Sequence, residues 1–110
     1  MTNGQIVITL NIINKIKESD RKLPIRLSYA LNKNLQTLMD LYKPYAEAIK
    51  EYGNITQEKL NSMSEKELQD FTDLYNTEND VDLFKVELKD IEDADLTINE
   101  LEVIQTFMMD

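Results

Sequence analysis

The sequence predicts a single domain over residues 1–110, mainly α-helical with a minor β element, in which one long helix packs with three to four shorter helices. A chain of 110 residues has the size of one domain. Gly and Pro occur only twice each, so long irregular stretches are not expected. Apolar residues recur at the α-helical period over much of the chain, and one later stretch alternates as a half-buried strand does.

The first segment is compatible with a strand over residues 5–10 or with a helix over residues 4–18. Its run of β-branched residues is typical of a strand. Ile6, Leu10 and Ile13, however, lie at helical spacing, and Asn3 is a suitable N-cap residue. The helix is therefore the favoured interpretation.

The clearest helical signal lies in residues 25–52, directly after Pro24. Its apolar residues recur at steps of three and four, which average about 3.6 residues. They are Leu27, Leu31, Leu35, Leu38, Tyr42, Tyr45, Ile49 and Tyr52. Gly53-Asn54 follows as a C-cap. Because the apolar stripe keeps its phase across Pro44, we expect a kinked continuous helix, with two abutting helices as the alternative.

A helix of about 28 residues is roughly 42 Å long, whereas a compact domain of this size is roughly 34 Å across. The helix must therefore bend at Pro44, or one end must project and pack on something else. Its apolar stripe is either the core of the domain or a surface for a partner, including a second copy in a homodimer. Tyrosine suits interfaces because its ring is apolar and its tip is polar. The candidate contact residues on this helix are Tyr29, Tyr42, Tyr45 and Tyr52.

Capping signals place three shorter helices in the second half of the chain. Thr56 caps a short helical stretch. Ser64 and Glu67 form a capping box, in which each side chain bonds the backbone N–H of the other residue. Thr97 and Glu100 form a second capping box, which begins the last helix.

The best strand candidate is Val81–Leu88. Phe84, Val86 and Leu88 alternate with charged residues there, as on a half-buried strand. The acidic stretch that follows, residues 90–95, is expected to be a solvated loop.

The charge of the chain is divided unevenly. The net charge is −9, from 12 basic and 21 acidic residues. Residues 1–55 carry a net charge of +3, and residues 56–110 carry −12. This asymmetry predicts either a surface with separate basic and acidic regions or ion pairs between the two parts within the fold.

Missing residue types exclude most catalytic and metal chemistry. Without Cys or His there is no thiolate or imidazole for catalysis or metal binding. Two glycines cannot form a phosphate-binding glycine-rich loop. A calcium loop that begins at Asp93 would need Gly at Ile98 and Glu at Ile104. We therefore expect no enzyme, no cofactor and no metal.

The sequence gives no sign of membrane insertion or export. No apolar run approaches the ~20 residues of a membrane span. The N-terminus lacks a basic segment followed by a cleavage site. A cytoplasmic protein without a membrane partner is the expectation.

An acidic surface is the second set of candidate contact residues. Its members are Glu78, Asp80, Asp82, Glu87, Asp90, Glu92, Asp93 and Asp95. Such a surface can imitate the phosphate array of a nucleic acid and bind a protein with a basic surface. A solvated acidic face without a partner is the alternative.

A basic cluster lies near the junction of the first two helices. Its members are Lys15, Lys17, Arg21, Lys22, Arg26 and Lys33. Basic patches can bind phosphate backbones, but the chain as a whole is acidic and carries no known nucleic-acid-binding motif. Direct nucleic-acid binding is therefore not expected.

The order of several segments resembles a family of small proteins of unknown function encoded by phages and prophages of Gram-positive bacteria. The segments are Lys22-Leu-Pro-Ile-Arg-Leu27, Asn32-Lys-Asn34, Val81-Asp-Leu-Phe-Lys-Val86, Leu88 and Leu96-Thr-Ile-Asn-Glu-Leu-Glu-Val-Ile-Gln-Thr-Phe-Met108. The similarity runs from about residue 4 to the end and is weakest over residues 55–79. It implies a phage or prophage accessory protein and carries over no catalytic residues.

These observations together predict a non-catalytic protein that acts by binding another protein. The leading hypothesis is an inhibitor or modulator of a host or anti-phage defence protein. The alternative is a structural or assembly factor of the virion.

Overall fold

Six helices follow one another in the residues that the computed structural model describes, 1–53 and 55–110. They are α1 (Asn3–Glu18), α2 (Ile25–Lys50), α3 (Gln57–Ser62), α4 (Glu65–Tyr75), α5 (Leu88–Ile91) and α6 (Ile98–Phe107). The mainly helical class is confirmed, and the first segment is a helix. Five helices accompany the long one rather than three to four, because α5 adds one short turn.

The N-termini of these helices are capped as local chemistry dictates. The capping boxes at Ser64 and Thr97 and the cap at Thr56 are confirmed. The first helix begins one residue earlier than expected, because Thr2 rather than Asn3 is the N-cap and forms a capping box with Gln5.

The long helix α2 continues through Pro44 and ends at Lys50, two residues before the expected end. After it, Gly53 adopts a φ of 75°, which favours glycine. Asn54, the second residue of the expected C-cap, lies outside the described residues. The structure is 49 Å in its longest dimension, with a radius of gyration of 16.1 Å against ~13 Å for a compact domain. An elongated domain therefore accommodates the long helix.

The core lies between α1, α2 and the C-terminal part of the chain. Leu27, Leu31 and Leu38 of α2 are fully buried, so this part of the apolar stripe is the core of the domain. Ala30 of α2 and residues of α1, of the stretch 83–91 and of the C-terminal residues 104–108 complete the buried cluster: Ile6, Leu10, Ile13, Ile16, Ala30, Leu83, Val86, Ile91, Ile104 and Met108. None of the described helices is long and apolar enough to cross a membrane.

The expected strand over Val81–Leu88 is wrong. Across the described chain the backbone pairs as β structure only at one isolated antiparallel bridge, between Thr2 and Glu78. The buried side chains of the stretch, Leu83 and Val86, lie three residues apart, which is not the two-residue period of a strand. Leu88, expected to point inward, is exposed.

A side chain replaces the missing strand partner. Asn34 of α2 is buried, and its Nδ2 donates to the carbonyl oxygen of Phe84 at 3.0 Å. The backbone N–H of Phe84 in turn donates to Oδ1 of Asn34 at 2.7 Å. Two residues later, the N–H of Val86 donates to the carbonyl oxygen of Met108 at 2.8 Å. Three backbone groups of the segment, the N–H and C=O of Phe84 and the N–H of Val86, therefore have partners without a sheet.

Replacing Asn34 by Ala is expected to lower the free energy of unfolding by about 2 to 4 kcal/mol, because it removes both hydrogen bonds of this buried side chain and leaves the N–H and C=O of Phe84 without their partner. Urea denaturation of the wild type, Asn34→Ala and Asn32→Ala measures this effect. Asn32 is exposed on the same helix, so its substitution is the matched control. Equal stability of the two variants would contradict the assigned role of Asn34.

Candidate interaction surface

Seven of the eight candidate carboxylates between residues 78 and 95 are exposed. They are Glu78, Asp80, Asp82, Glu87, Glu92, Asp93 and Asp95. We call these seven residues the acidic face. Lys85 and Lys89 are the two basic residues in the same stretch, and Lys89 Nζ lies 3.3 Å from Glu87 Oε2. Both side chains of that pair are mostly exposed, so it offsets little of the negative potential.

The chain that carries the acidic face is fixed to the fold at its start. The N–H of Asn79 donates to the carbonyl oxygen of Met1 at 2.8 Å, and its side-chain Nδ2 donates to Asn3 Oδ1 at 2.9 Å. The N–H of Asn3 donates to the carbonyl oxygen of Thr77 at 3.0 Å. The N-terminal ammonium also lies 3.3 Å from the carboxylate of Glu78. These contacts join the first residues of the protein to the start of the acidic stretch.

Asp90, the eighth carboxylate, belongs to the fold rather than to the surface. Its side chain is buried, and its Oδ2 accepts from Arg26 Nε at 3.0 Å and from the N–H of Glu87 at 2.9 Å. The second bond holds the start of α5. Asp90 was predicted to be an exposed contact residue, and this prediction is corrected. A buried carboxylate that already accepts hydrogen bonds from Arg26 and from the N–H of Glu87 is shielded from a partner protein.

The end of the acidic stretch is held by Arg21, which lies in the linker between α1 and α2. Arg21 Nη2 donates to Glu100 Oε2 at 2.8 Å, and Nη1 donates to the other oxygen of the same carboxylate. Nη1 also donates to the carbonyl oxygen of Asp95 at 2.9 Å. The hydrogen bonds from Arg21 lower the pKa of Glu100 to about 2, against the opposing effect of burial.

The predicted ion pairing between the two parts of the chain is therefore present, but it involves only two pairs of residues. Arg21 and Arg26 of the basic part pair with Glu100 and Asp90 of the acidic part. Both carboxylates are buried, and neither is a member of the acidic face. The two pairs fix the backbone of the acidic stretch and leave seven carboxylates directed to solvent.

The tyrosines of α2 are divided between core and surface. Tyr45 is buried, and burial raises the pKa of its hydroxyl. Its assignment as an exposed contact residue is corrected, since α2 carries it on the core-facing stripe. Tyr42 and Tyr52 are half-buried, and only Tyr29 of the four is exposed. The ring of Tyr29 packs edge-on against Phe84, with centroids 5.2 Å apart.

The residues around Tyr29 were not among the candidate contact residues, although Arg26 is a member of the basic cluster. Arg26 lies with its guanidinium carbon 5.2 Å from the centroid of the Phe84 ring. Ile25, which precedes Arg26 in the sequence, and Leu88, which follows Glu87, are both exposed. The sequence does hold one signal, since Ile25 and Tyr29 are four residues apart and off the buried stripe of α2.

The comparisons with known proteins do not assign this chain to a family. Comparison with family models, with curated proteins and with solved structures finds no match. Among residues 1–53 and 55–110, no three His, Cys, Asp or Glu side chains are placed to hold a metal ion. The surface described above is therefore the basis for a functional proposal.

Substituting the buried carboxylate should be more damaging than substituting an exposed one. Asp90→Asn is expected to lower the free energy of unfolding by about 1 to 3 kcal/mol, because it weakens the bonds to Arg26 and to the N–H of Glu87. Asp93→Asn, which removes one charge from the acidic face, is the control and should change stability by less than about 0.5 kcal/mol. Thermal or urea denaturation of both variants measures the difference, and equal losses would contradict the assignment of Asp90 to the fold.

The pair of Arg21 and Glu100 predicts a specific dependence of stability on pH. Because the pKa of Glu100 falls from its ordinary 4.5 to about 2 on folding, its contribution is complete above pH 4.5 and is lost as the pH falls towards 2. The contribution is roughly 3 kcal/mol. Urea denaturation at several pH values should show the wild type and Glu100→Gln differing most at neutral pH and converging near pH 2. A constant difference across this range would contradict the prediction.

Proposed function

We propose that this protein acts without catalysis, by binding a protein that presents a basic surface to its acidic face. The proposed setting is a bacterial host cell, where a phage or prophage accessory protein inhibits or modulates a host or anti-phage defence protein. The resemblance of Lys22–Leu27, Asn32–Asn34 and Val81–Val86 to phage-encoded proteins supports this setting. The cytoplasm is the proposed location.

The observation that carries the proposal is the fixed backbone beneath the acidic face. Contacts to Met1, Asn34, Met108, Arg26 and Arg21 hold the stretch at five places between residues 77 and 95. A carboxylate on a fixed backbone loses less conformational freedom on binding than one on a flexible tail. Because the distances between these carboxylates are fixed, their negative charges can be matched by the positive charges of a partner protein.

The electrostatics favour a partner with basic groups. Seven exposed carboxylates against two lysines give this stretch a strongly negative potential, within a chain of net charge −9. Such a field speeds the approach of a basic partner and weakens with rising salt. A groove that binds nucleic-acid phosphates has the complementary chemistry, so blocking such a groove is the proposed mode of inhibition.

Reversing three charges of the acidic face is expected to abolish binding to a basic partner. The test variant carries Glu92→Lys, Asp93→Lys and Asp95→Lys, and Asp90 is left intact because it stabilises the fold. The control variant carries Asp40→Lys, Glu47→Lys and Asp70→Lys, which are exposed positions on α2 and α4. Both variants change the net charge from −9 to −3, so the control separates position from total charge.

Affinity capture from bacterial host lysate, followed by mass spectrometry, compares the two variants with the wild type. We expect proteins retained by the wild type and the control variant to be lost with the test variant and with increasing salt. Retention of the same proteins by the test variant would contradict the proposal. Co-purification of the protein with phage particles, unaffected by the charge reversal, would instead support the alternative role in virion assembly.

A further inference from the structure

Two buried apolar side chains lie outside the core of the domain. Tyr45 and Met63 are 6% and 8% exposed, yet neither belongs to the buried cluster of the core. In α3 and α4, all of whose residues are described, no residue is buried. Apart from the exposed Tyr75, the apolar side chains of these two helices are half-buried: Leu60, Leu68, Phe71 and Leu74. We call residues 45–50 of α2 together with α3 and α4 the lid. A region with so few fully buried apolar side chains is less stable than the core.

Pro44 marks the boundary between the core and the lid along α2. Leu38 is fully buried and belongs to the core, and Tyr45 is the next buried residue of the helix. Because proline has no N–H, the carbonyl oxygen of Asp40 lacks the donor that the α-helical pattern would supply from position 44. The helix therefore has one hydrogen bond fewer at this boundary, which makes it a natural hinge.

The other end of the lid is attached to the start of α1. Asn3 is buried, and its Nδ2 donates to the carbonyl oxygen of Leu74 at 2.7 Å. The ring of Tyr75 lies so close to Gly4 that a Cβ atom at position 4 would overlap it. Only glycine therefore permits this approach. Burial and, next to it, the hydroxyl of Tyr75 raise the pKa of Tyr45, which places Tyr75 near α2 as well as α1.

The chain directly after the lid has its own attachment to α1. The N–H of Asn79 donates to the carbonyl oxygen of Met1 at 2.8 Å, and the N–H of Asn3 donates to that of Thr77 at 3.0 Å. Neither hydrogen bond involves a residue of α4. Both can therefore persist when α4 leaves α1, and the acidic stretch then keeps its first anchor.

We propose that the lid opens as one cooperative unit, with Pro44 as its hinge and the contacts of Asn3 and Gly4 as its latch. The middle of α1, the part of α2 before the hinge and α6 stay folded in the open form. Opening uncovers Gly4, Tyr45 and the apolar face of α4, so the protein alternates between two forms of one folded core. The inference is independent of the proposed function, because the acidic face keeps its anchors in both forms.

Hydrogen exchange of the intact protein, followed by NMR for each amide at increasing low concentrations of urea, tests the proposal. We expect the amides of the lid to exchange roughly tenfold or more faster than those in the middle of α1 and in α6. The lid amides should also share one dependence on urea, weaker than that of the core, while the N–H of Asn79 stays protected. Equal protection of lid and core would overturn the proposal. Lid amides with unrelated dependences on urea would overturn it as well, because they would not open together.

A double-mutant cycle locates the latch. Gly4→Ala is expected to speed the exchange of α4 roughly tenfold and to leave α6 unchanged, because the added Cβ displaces the ring of Tyr75. Alanine favours a helix more than glycine does, so this effect cannot come from a weakened α1. In a protein that carries Tyr75→Ala, Gly4→Ala should have no further effect. Asn14→Ala, at an exposed position of α1, is the matched control. The same acceleration with and without Tyr75 would overturn the latch.

Pro44→Ala is expected to act in the opposite direction. Pro44 is exposed, and alanine supplies an N–H for the carbonyl oxygen of Asp40. The amides of residues 46–50 should then exchange roughly tenfold more slowly, whereas those of α6 should not change. Because this variant stabilises the lid, its effect cannot be attributed to a damaged fold. Unchanged or faster exchange of residues 46–50 would overturn the hinge.

Discussion

The side-chain amide of Asn34 holds the backbone of Phe84 through two hydrogen bonds, at a place where the chain has no strand to pair with. Asparagine suits this role because its carboxamide offers a donor and an acceptor side by side, as a peptide group does. The long segment between α4 and α6 would otherwise bury backbone groups without partners. Leu83 and Val86 enter the core on either side of this contact, which gives the backbone N–H and C=O of Phe84 their partners.

Two arginines extend the same arrangement along the segment. Arg26 binds Asp90, and Arg21 binds Glu100 together with the backbone of Asp95. In each pair the carboxylate is buried and the arginine is more exposed, so the cation keeps part of its hydration while the carboxylate receives several donors. Two of the eight basic residues of the first part therefore anchor the acidic part.

The sequence predicted the helices well because their signals are local. Capping boxes at Ser64 and Thr97 and the apolar period of α2 involve residues that are at most a few turns apart. The strand over residues 81–88 was mispredicted because the conformation there depends on partners far away in the chain, as the bonds of Asn34 to Phe84 and of Arg26 to Asp90 show, 50 and 64 residues apart. One signal for the first partner was present. Asn34 lies on the apolar face of α2 between Leu31 and Leu38, where a polar residue needs a buried partner.

Asp90 shows why an acidic stretch cannot be divided into surface and core residues by composition alone. Its neighbours Glu92 and Asp93 have the same chemistry and are exposed, whereas Asp90 faces inward because α5 begins at Leu88 and turns the chain. By accepting hydrogen bonds from both Arg26 and the N–H of Glu87, Asp90 connects the start of α2 to the start of α5. One buried carboxylate therefore fixes the backbone from which its exposed neighbours Glu92 and Asp93 extend.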